Sequence, residues 1–298
     1  MNNNSPIRKY KQYLMIERGL SANTIDAYMH DLDKLIEYAE SNNIGLSDIK
    51  TRHIESLLAD LYDKNITARS IARVLSGLKS FFNFLELDGF IDINPTALIE
   101  SPSLGQKLPI TLSIEEIDDI LGIIDVSTSE GTRNYAIIET LYSCGLRVSE
   151  LINLRFSDLF FNEGFIRVRG KGDKQRLVPI SETAIQKIKN YIPYRAQINI
   201  KRGSEDVLFL SARGTAISRI TVFHYVRKYS EEAGIDKDIS PHVFRHSFAT
   251  HLLERGANIR VIQEMMGHEK ISTTEIYTHL DTQYLREEIL EHHPRSKE

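Results

Sequence analysis

The stretch Ser240–His279, SPHVFRHSFATHLLERGANIRVIQEMMGHEKISTTEIYTH, carries the densest chemistry in the chain. Ser240 and Pro241 read as N-cap and first helical residue, because a serine oxygen accepts from an orphan amide and proline has no amide to leave unpaired. The helix that follows bears Phe244, Phe248 and Leu252 at four-residue spacing, one apolar stripe. His242 and Arg245 project together from another side, in the first turn, where free amides and the helix dipole favour an anion. An imidazole and a guanidinium at a helix start make a phosphate seat. Gly256 reads as a left-handed cap, Asn258 opens a second helix, and Gly267 stops it, leaving His268 on a turn. Ser272 and Glu275 form an S-x-x-E capping box for a short third helix, with Tyr277 in its last turn, nine residues beyond His268. A helix-borne tyrosine following a histidine on a turn offers a nucleophile beside a hydrogen-bond donor.

Upstream, residues 5–90 read as helices throughout. A first runs from about Pro6 to Glu17 and stops at Gly19. Ser21 or Asn23 caps a long second, with Ile25, Tyr28, Leu32, Leu35, Ile36 and Ala39 on its buried side. Thr51 opens a third and Thr67 a fourth, the latter running through Ile71, Val74, Leu75, Leu78, Phe82 and Leu85 to near Gly89. Four amphipathic helices with short polar joints predict a small bundle. From Asp92 to Thr111 the texture changes to Pro95, Pro102, Gly105 and Pro109, the signature of an extended connector. At roughly 3 Å per residue it can run most of the way around a DNA duplex.

A second helical domain opens at the capping box Ser113/Glu116, with helices about 113–124 and 131–143. Gly145 makes a turn before Arg147, and Leu151, Ile152 and Leu154 predict a short buried helix. Residues 157–180 switch to period two, and the strands flank RGKGDK with Lys171 at the hairpin tip. This hairpin carries Arg167, Arg169, Lys171, Lys174 and Arg176 against a single acid, Asp173, and so calls for an anionic surface against it. Its glycines do not fit a nucleotide-binding P-loop. Helices at about 181–198 and 218–233, with a short VLFL strand between them, complete the domain.

At 298 residues the chain has room for two domains, and 41% hydrophobic content suffices for real cores. The single cysteine, Cys144, excludes an internal disulfide and fits a reducing cytosol. The polar start MNNNSPIRKYKQ carries no signal-peptide pattern, and no apolar run approaches membrane-spanning length. The net charge of −4 does not exclude nucleic acid, because a basic face can coexist with acidic helices elsewhere.

On these residues the chain resembles the tyrosine recombinases of the phage integrase type, and among them the bacterial Xer recombinases. The likeness spans nearly the whole sequence, from RGLSANTIDAYMHDL in the first domain to the terminal HHPR, which is more similar to the XerD branch than to the XerC branch. Arg147 in its GLR-x-SEL context, Lys171 on the hairpin, His242 and Arg245 as H-x-x-R, His268 after glycine, and Tyr277 match the dispersed signature in order. Any one alone is a weak signal, whereas the ordered set is specific. Phe244, where leucine is more usual, and Cys144, where a small hydroxyl residue is common, are departures at positions that do no chemistry.

The resemblance implies a mainly α protein shaped as a C-shaped clamp. A four-helix SAM-like DNA-gripping bundle (residues 1–90) and a linker (91–112) precede a mostly α catalytic domain with a small antiparallel sheet (113–298). It implies site-specific DNA strand exchange through a 3′-phosphotyrosine formed by Tyr277, with Arg147 and Arg245 clamping the phosphate, Lys171 as general acid, and His242 and His268 assisting. No metal or other cofactor is called for. The implied role is resolving chromosome dimers at cell division, in the cytoplasm, within a heterotetrameric synapse that holds a second Xer-type recombinase. A DNA translocase is the further partner, and base-reading side chains are expected on the second and fourth helices and near Ser218–Ser230. A mobile-element integrase of the same chemistry is the alternative within the enzyme class, and a DNA-binding protein that grips without cutting is the alternative outside it.

Plainer readings stay open beside these. Tyr277 is one of 13 tyrosines and can be an ordinary core residue. His242 and His246, four apart, with His251 and His268 nearby, can bind zinc, although the glutamate that a zinc protease needs beside the first histidine is missing. Arg147 and Glu150 can be a bare helix salt bridge. His246, His251, His279, His292 and His293 read as structural or surface residues. Asp281–Leu290 presents Leu285, Ile289 and Leu290 on one face, to be docked on a neighbouring protomer or packed at home.

Overall fold

The computed structural model describes residues 4–102, 110–170, 174–267 and 279–296. The chain divides into two compact units, Met1–Lys107 and Leu108–Glu298. Among the described residues the architecture is helical, with one small antiparallel sheet, as the sequence predicts.

The first unit is built from α1 (Asn4–Ile16), α2 (Ala22–Ser41), α3 (Thr51–Asp63) and α4 (Ala68–Leu87). Ser21 and Thr67 cap α2 and α4, each hydroxyl accepting the amide three residues on. Their apolar stripes meet in a core that includes Tyr10, Leu32, Leu35, Ile54, Leu75, Leu78 and Phe82. One acid interrupts that core. Asp31 is fully buried on α2 and accepts from Arg73 on α4 and from Lys34 one turn on. The predicted connector is not extended at its start: Asn94 donates to Asn83 and caps Thr96, and Ile99 joins the core of this unit.

The second unit is organised around α6 (Ser129–Ser143), which is buried on nearly every side from Gly131 onward. Such a helix must satisfy its own polar groups. Asn134 donates to the Tyr229 hydroxyl, Arg133 to the carbonyl of Leu210, and Ser143 to Glu139. Before α6 lies α5 (Ile114–Gly122), opened by the Ser113/Glu116 capping box as the sequence predicts. After it comes the short α7 (Val148–Ile152), then β1 (Leu159–Phe160), β2 (Phe165–Arg169) and β3 (Gln175–Pro179), in that spatial order. Ile166 faces Val178 and Val168 faces Arg176 across the ladder, and all four are buried. Arg167 and Arg169, of opposite parity, lie on the more open face.

The remaining helices are α8 (Glu182–Arg195), α9 (Arg219–Glu232), α10 (Pro241–Glu254), α11 (Ile259–Met266) and α12 (His279–His292). The predicted VLFL strand does not form; only the isolated bridges Arg155–Val207 and Leu210–Ala216 occur there. Its backbone is satisfied another way, because Arg195 reaches over to donate to the carbonyls of Glu205, Val207 and Leu208. Helix α12 packs at home: Leu285 and Ile289 are buried, and Arg286 donates to the carbonyl of Glu163. Leu290, expected on the same face, is instead half exposed.

Past α12 the chain end is anchored in the same unit. His293 is buried against the rings of Tyr142 and Phe248, and Arg295 pairs with Asp118 and with the buried carboxylate of Glu139. Burial, reinforced by the Arg295 charge, pushes His293 down to about 3, so it is neutral. His251, likewise buried, shares a 2.8 Å hydrogen bond with Tyr142. Both histidines are structural, as the sequence suggests. No helix is long and apolar enough to cross a membrane among the described residues.

Candidate active site

Arg147 stands at the junction of α6 and α7. The turn that delivers it depends on Gly145, whose φ is +57° and whose missing Cβ would lie 2.4 Å from the Phe248 ring. Arg147 occupies the N-cap position of α7, and Glu150 reaches back to accept its amide at 2.8 Å. That is half a capping box, the half an arginine side chain allows. Glu150 also accepts from the Arg147 guanidinium at 2.9 Å and bidentately from Arg176 of β3, at 2.8 and 3.0 Å. A third guanidinium, Arg245 of α10, lies 3.8 Å from the same carboxylate. Burial alone would raise Glu150, but the bonds and charge of Arg176, then those of Arg147, outweigh it and hold the carboxyl below its usual range.

Arg245 is 94% buried, its own exposure being 6%. It donates to the carbonyl of Gly145 at 2.6 Å and to that of Met266. Burial, then repulsion from Arg147, pushes it down to about 10, so it stays charged at neutral pH. Arg147 is the more open of the two, with 37% of its side chain exposed. Three guanidiniums around one carboxylate leave an excess of positive charge. Forked donors of this kind suit the non-bridging oxygens of a phosphate.

The H-x-x-R helix begins at Pro241 as expected, but the Ser240 hydroxyl makes no cap bond. His242 is exposed at that helix start while Arg245 points into the core, so the two are not equivalent members of one surface pair. Gly256 adopts φ +97° directly after the α10 C-cap, and Gly267 caps α11 in the left-handed region, as predicted.

Lys171, His268 and Tyr277 lie outside the described residues, as does the Ser272/Glu275 capping box. The residues on either side of them are informative. Gly170, before Lys171, has its Cβ position 3.7 Å from the Arg176 guanidinium and 3.9 Å from Glu150. Gly267, before His268, has its Cβ position 3.1 Å from Arg176, and its carbonyl faces Arg147 at 3.4 Å. The chain therefore enters both segments at the arginine cluster.

Two groups do more than their local sequence suggests. Glu150 is the hub of the cluster rather than one end of a helix salt bridge. Arg176, read as a hairpin cation awaiting an anion, is buried and already paired. Arg167 and Arg169 likewise face a buried acid, Asp158, at 2.8 and 4.0 Å. The anionic partner of this hairpin is in good part the protein itself. Lys174 remains exposed.

Residues 111–284 match the phage integrase family, and residues 7–89 match the N-terminal SAM-like domain of phage integrases. The chain belongs to the phage integrase family. This recombinase is 40% identical to the tyrosine recombinase XerD of Staphylococcus epidermidis over 98% of its own length and all of the relative's. It is 39% identical to XerD of Proteus mirabilis, over 99% of this chain and 94% of that one. Its fold matches the XerH site-specific recombinase bound to a palindromic difH substrate in a post-cleavage complex, at a TM-score of 0.72 and 25% identity, over 95% and 84% of the two chains. The chain is thus an XerD-like tyrosine recombinase, an enzyme of site-specific DNA recombination.

Proposed function

We propose that this recombinase resolves chromosome dimers at cell division by cutting and rejoining duplex DNA, acting in the cytoplasm beside a second Xer-type recombinase and a DNA translocase. The first 90 residues grip the duplex, residues 91–112 link, and residues 113–298 carry the chemistry. Exposed side chains of α2, α4 and α9 read the bases.

The Tyr277 oxygen attacks the phosphorus, the bond to the 5′-oxygen breaks, and the strand is held as a 3′-phosphotyrosine. His242 and His268 between them donate to the phosphoryl oxygens and take the phenol proton. Lys171 protonates the leaving 5′-oxygen, which an ammonium can do and a guanidinium cannot. Arg147 and Arg245 neutralise the charge that develops on the non-bridging oxygens, each such contact lowering the barrier by about 2.7–4 kcal/mol. A free 5′-hydroxyl of the partner strand reverses the step and rejoins.

The single observation that carries this reading is the Arg147–Glu150–Arg245 cluster, whose excess positive charge lies at the entry to both the Lys171 and the His268 segments. The test has two stages. DNA recovered covalently on the denatured protein is sequenced, and a nicked duplex carrying that site is then incubated with the enzyme. The expected result is an adduct that survives denaturation and is absent from Tyr277→Phe; an adduct that persists in that variant moves the nucleophile elsewhere.

A further inference from the structure

The last carbonyls of a helix have no partner within it, and cations near them are favoured. At the end of α11 three successive carbonyls, of Met265, Met266 and Gly267, accept from three different guanidiniums: Arg176, Arg245 and Arg147 respectively. His268 follows directly in the sequence. Two of these arginines belong to the phosphate clamp proposed above; Arg176 does not, and all three of its guanidinium nitrogens donate. Its Nε donates to Met265 at 2.7 Å, and its two terminal nitrogens grip Glu150 at 2.8 and 3.0 Å. With 7% of its surface exposed, it cannot itself meet DNA without leaving this position.

We infer that Arg176 is a positioning residue of the strand-cleavage reaction, an inference that rests on the functional reading above. Without it, the Glu150 carboxylate would draw on Arg147 and on Arg245, the two groups meant for the phosphate. Arg245 is already only 3.8 Å away. By saturating Glu150 from the β3 side, Arg176 leaves the outer donors of the clamp free for the non-bridging oxygens. By holding Met265 it ties the hairpin that bears Lys171 to the helix end that leads to His268. Gly267 fits the same purpose: its φ is +65°, and any side chain there would meet the Arg176 guanidinium. The bidentate fork and the third bond from Nε cannot be reproduced by a lysine.

The experiment measures single-turnover cleavage of the nicked duplex at saturating protein, alongside binding by mobility shift. Arg176→Met should bind the duplex normally and cleave it slower by about 10²-fold, the scale of one lost transition-state contact. Arg176→Lys, which keeps the charge, should fall between it and the wild type. The decisive variant is Arg176→Met with Glu150→Gln. If Arg176 acts by occupying the carboxylate, removing that charge restores about 10-fold of the lost rate, less than the full effect because the Met265 bond stays broken. Wild-type cleavage in Arg176→Met, or a double variant as slow as the two single losses multiplied, overturns the inference. So does a loss of binding in Arg176→Lys equal to its loss of cleavage, which marks a merely structural role. Failure of the functional reading looks different: it is an adduct in Tyr277→Phe, whatever position 176 holds.

Discussion

Two glutamates of the larger unit are buried almost completely, yet their surroundings shift them in opposite directions, and this makes a paired prediction. Glu150, on α7, is held below its usual range because Arg176 and Arg147 outweigh its burial. Glu139, on α6, is raised, because burial outweighs Arg295 and the Ser143 hydroxyl, and one of its oxygens has no hydrogen-bond partner among the described residues. Glu150→Gln keeps the shape and removes the charge, leaving the guanidiniums of Arg176 and Arg245, 8% and 7% exposed, without their counter-ion. Breaking a buried pair in this way costs about 3–5 kcal/mol. For a domain of this size that lowers the melting temperature by roughly 6–20 °C. Glu139→Gln removes a charge the fold already disfavours, and Arg295 keeps Asp118 as a partner; it should change stability by less than about 1 kcal/mol at pH 7.

The pH dependence follows from the signs. Because the folded pKa of Glu150 is depressed, its contribution is present above the unfolded value of about 4.3 and is lost as pH falls through the folded one. The gap between wild type and Glu150→Gln should therefore be full at pH 7 and close on acidification below pH 4. Glu139, raised, behaves in reverse: protonation relieves its burial, so the wild type gains on Glu139→Gln as pH falls. Calorimetric melting of the full chain and both variants at several pH values measures this. Equal destabilisation by the two substitutions, or a Glu150 gap that widens in acid, would refute the reasoning.

Other outcomes follow from the same geometry. Tyr277→Phe should bind the recombination site with unchanged affinity and form no covalent adduct, read by mobility shift and by denaturing gel. Gly145→Ala should lower both stability and cleavage: the left-handed backbone costs about 1–2 kcal/mol for any side chain, and the new Cβ lies 2.4 Å from the Phe248 ring. The melting temperature and the single-turnover rate should fall together. Binding to duplex DNA should weaken by about 10³–10⁵ between 50 and 200 mM salt if some 6–10 phosphates are contacted, and a flat titration would contradict a phosphate-tracking grip. Cleavage of the nicked site should proceed undiminished in the presence of a chelator, and full inhibition would favour the zinc reading of His242 and His246.

What was legible in the sequence is what local physics decides. Ser21, Thr67, Ser113, Ser181 and Ser218 each announce a helix start, and each hydroxyl accepts the expected amide, because a cap involves only residues three apart. The family was legible too, because its short motifs, such as GLR-x-SEL and H-x-x-R, are each read within a few residues. What escaped depends on partners far along the chain. The VLFL stretch has the composition of a strand, yet Arg195, on α8, takes the carbonyls of Val207 and Leu208 and Arg133 takes that of Leu210, and no ladder forms. Nothing local marks Asp31 for burial, because the partner that permits it, Arg73, lies 42 residues on and meets it across the bundle.

Arg176 is the instructive case, because the sequence did hold a clue. Strand parity places it with Val178 on the inward face and sets Arg167 and Arg169 on the other. A hairpin read for its summed charge treats all its cations alike. Read for its alternation, it separates one inward arginine from its neighbours. An inward guanidinium must find a buried acid, because an unpaired buried charge is too costly to keep. The remaining step, that the acid would be the Glu150 of the same SEL triplet that follows Arg147, needed the fold. It follows that the electrostatics of this site are set as much by Glu150 and Arg176 as by the six residues proposed to do the chemistry.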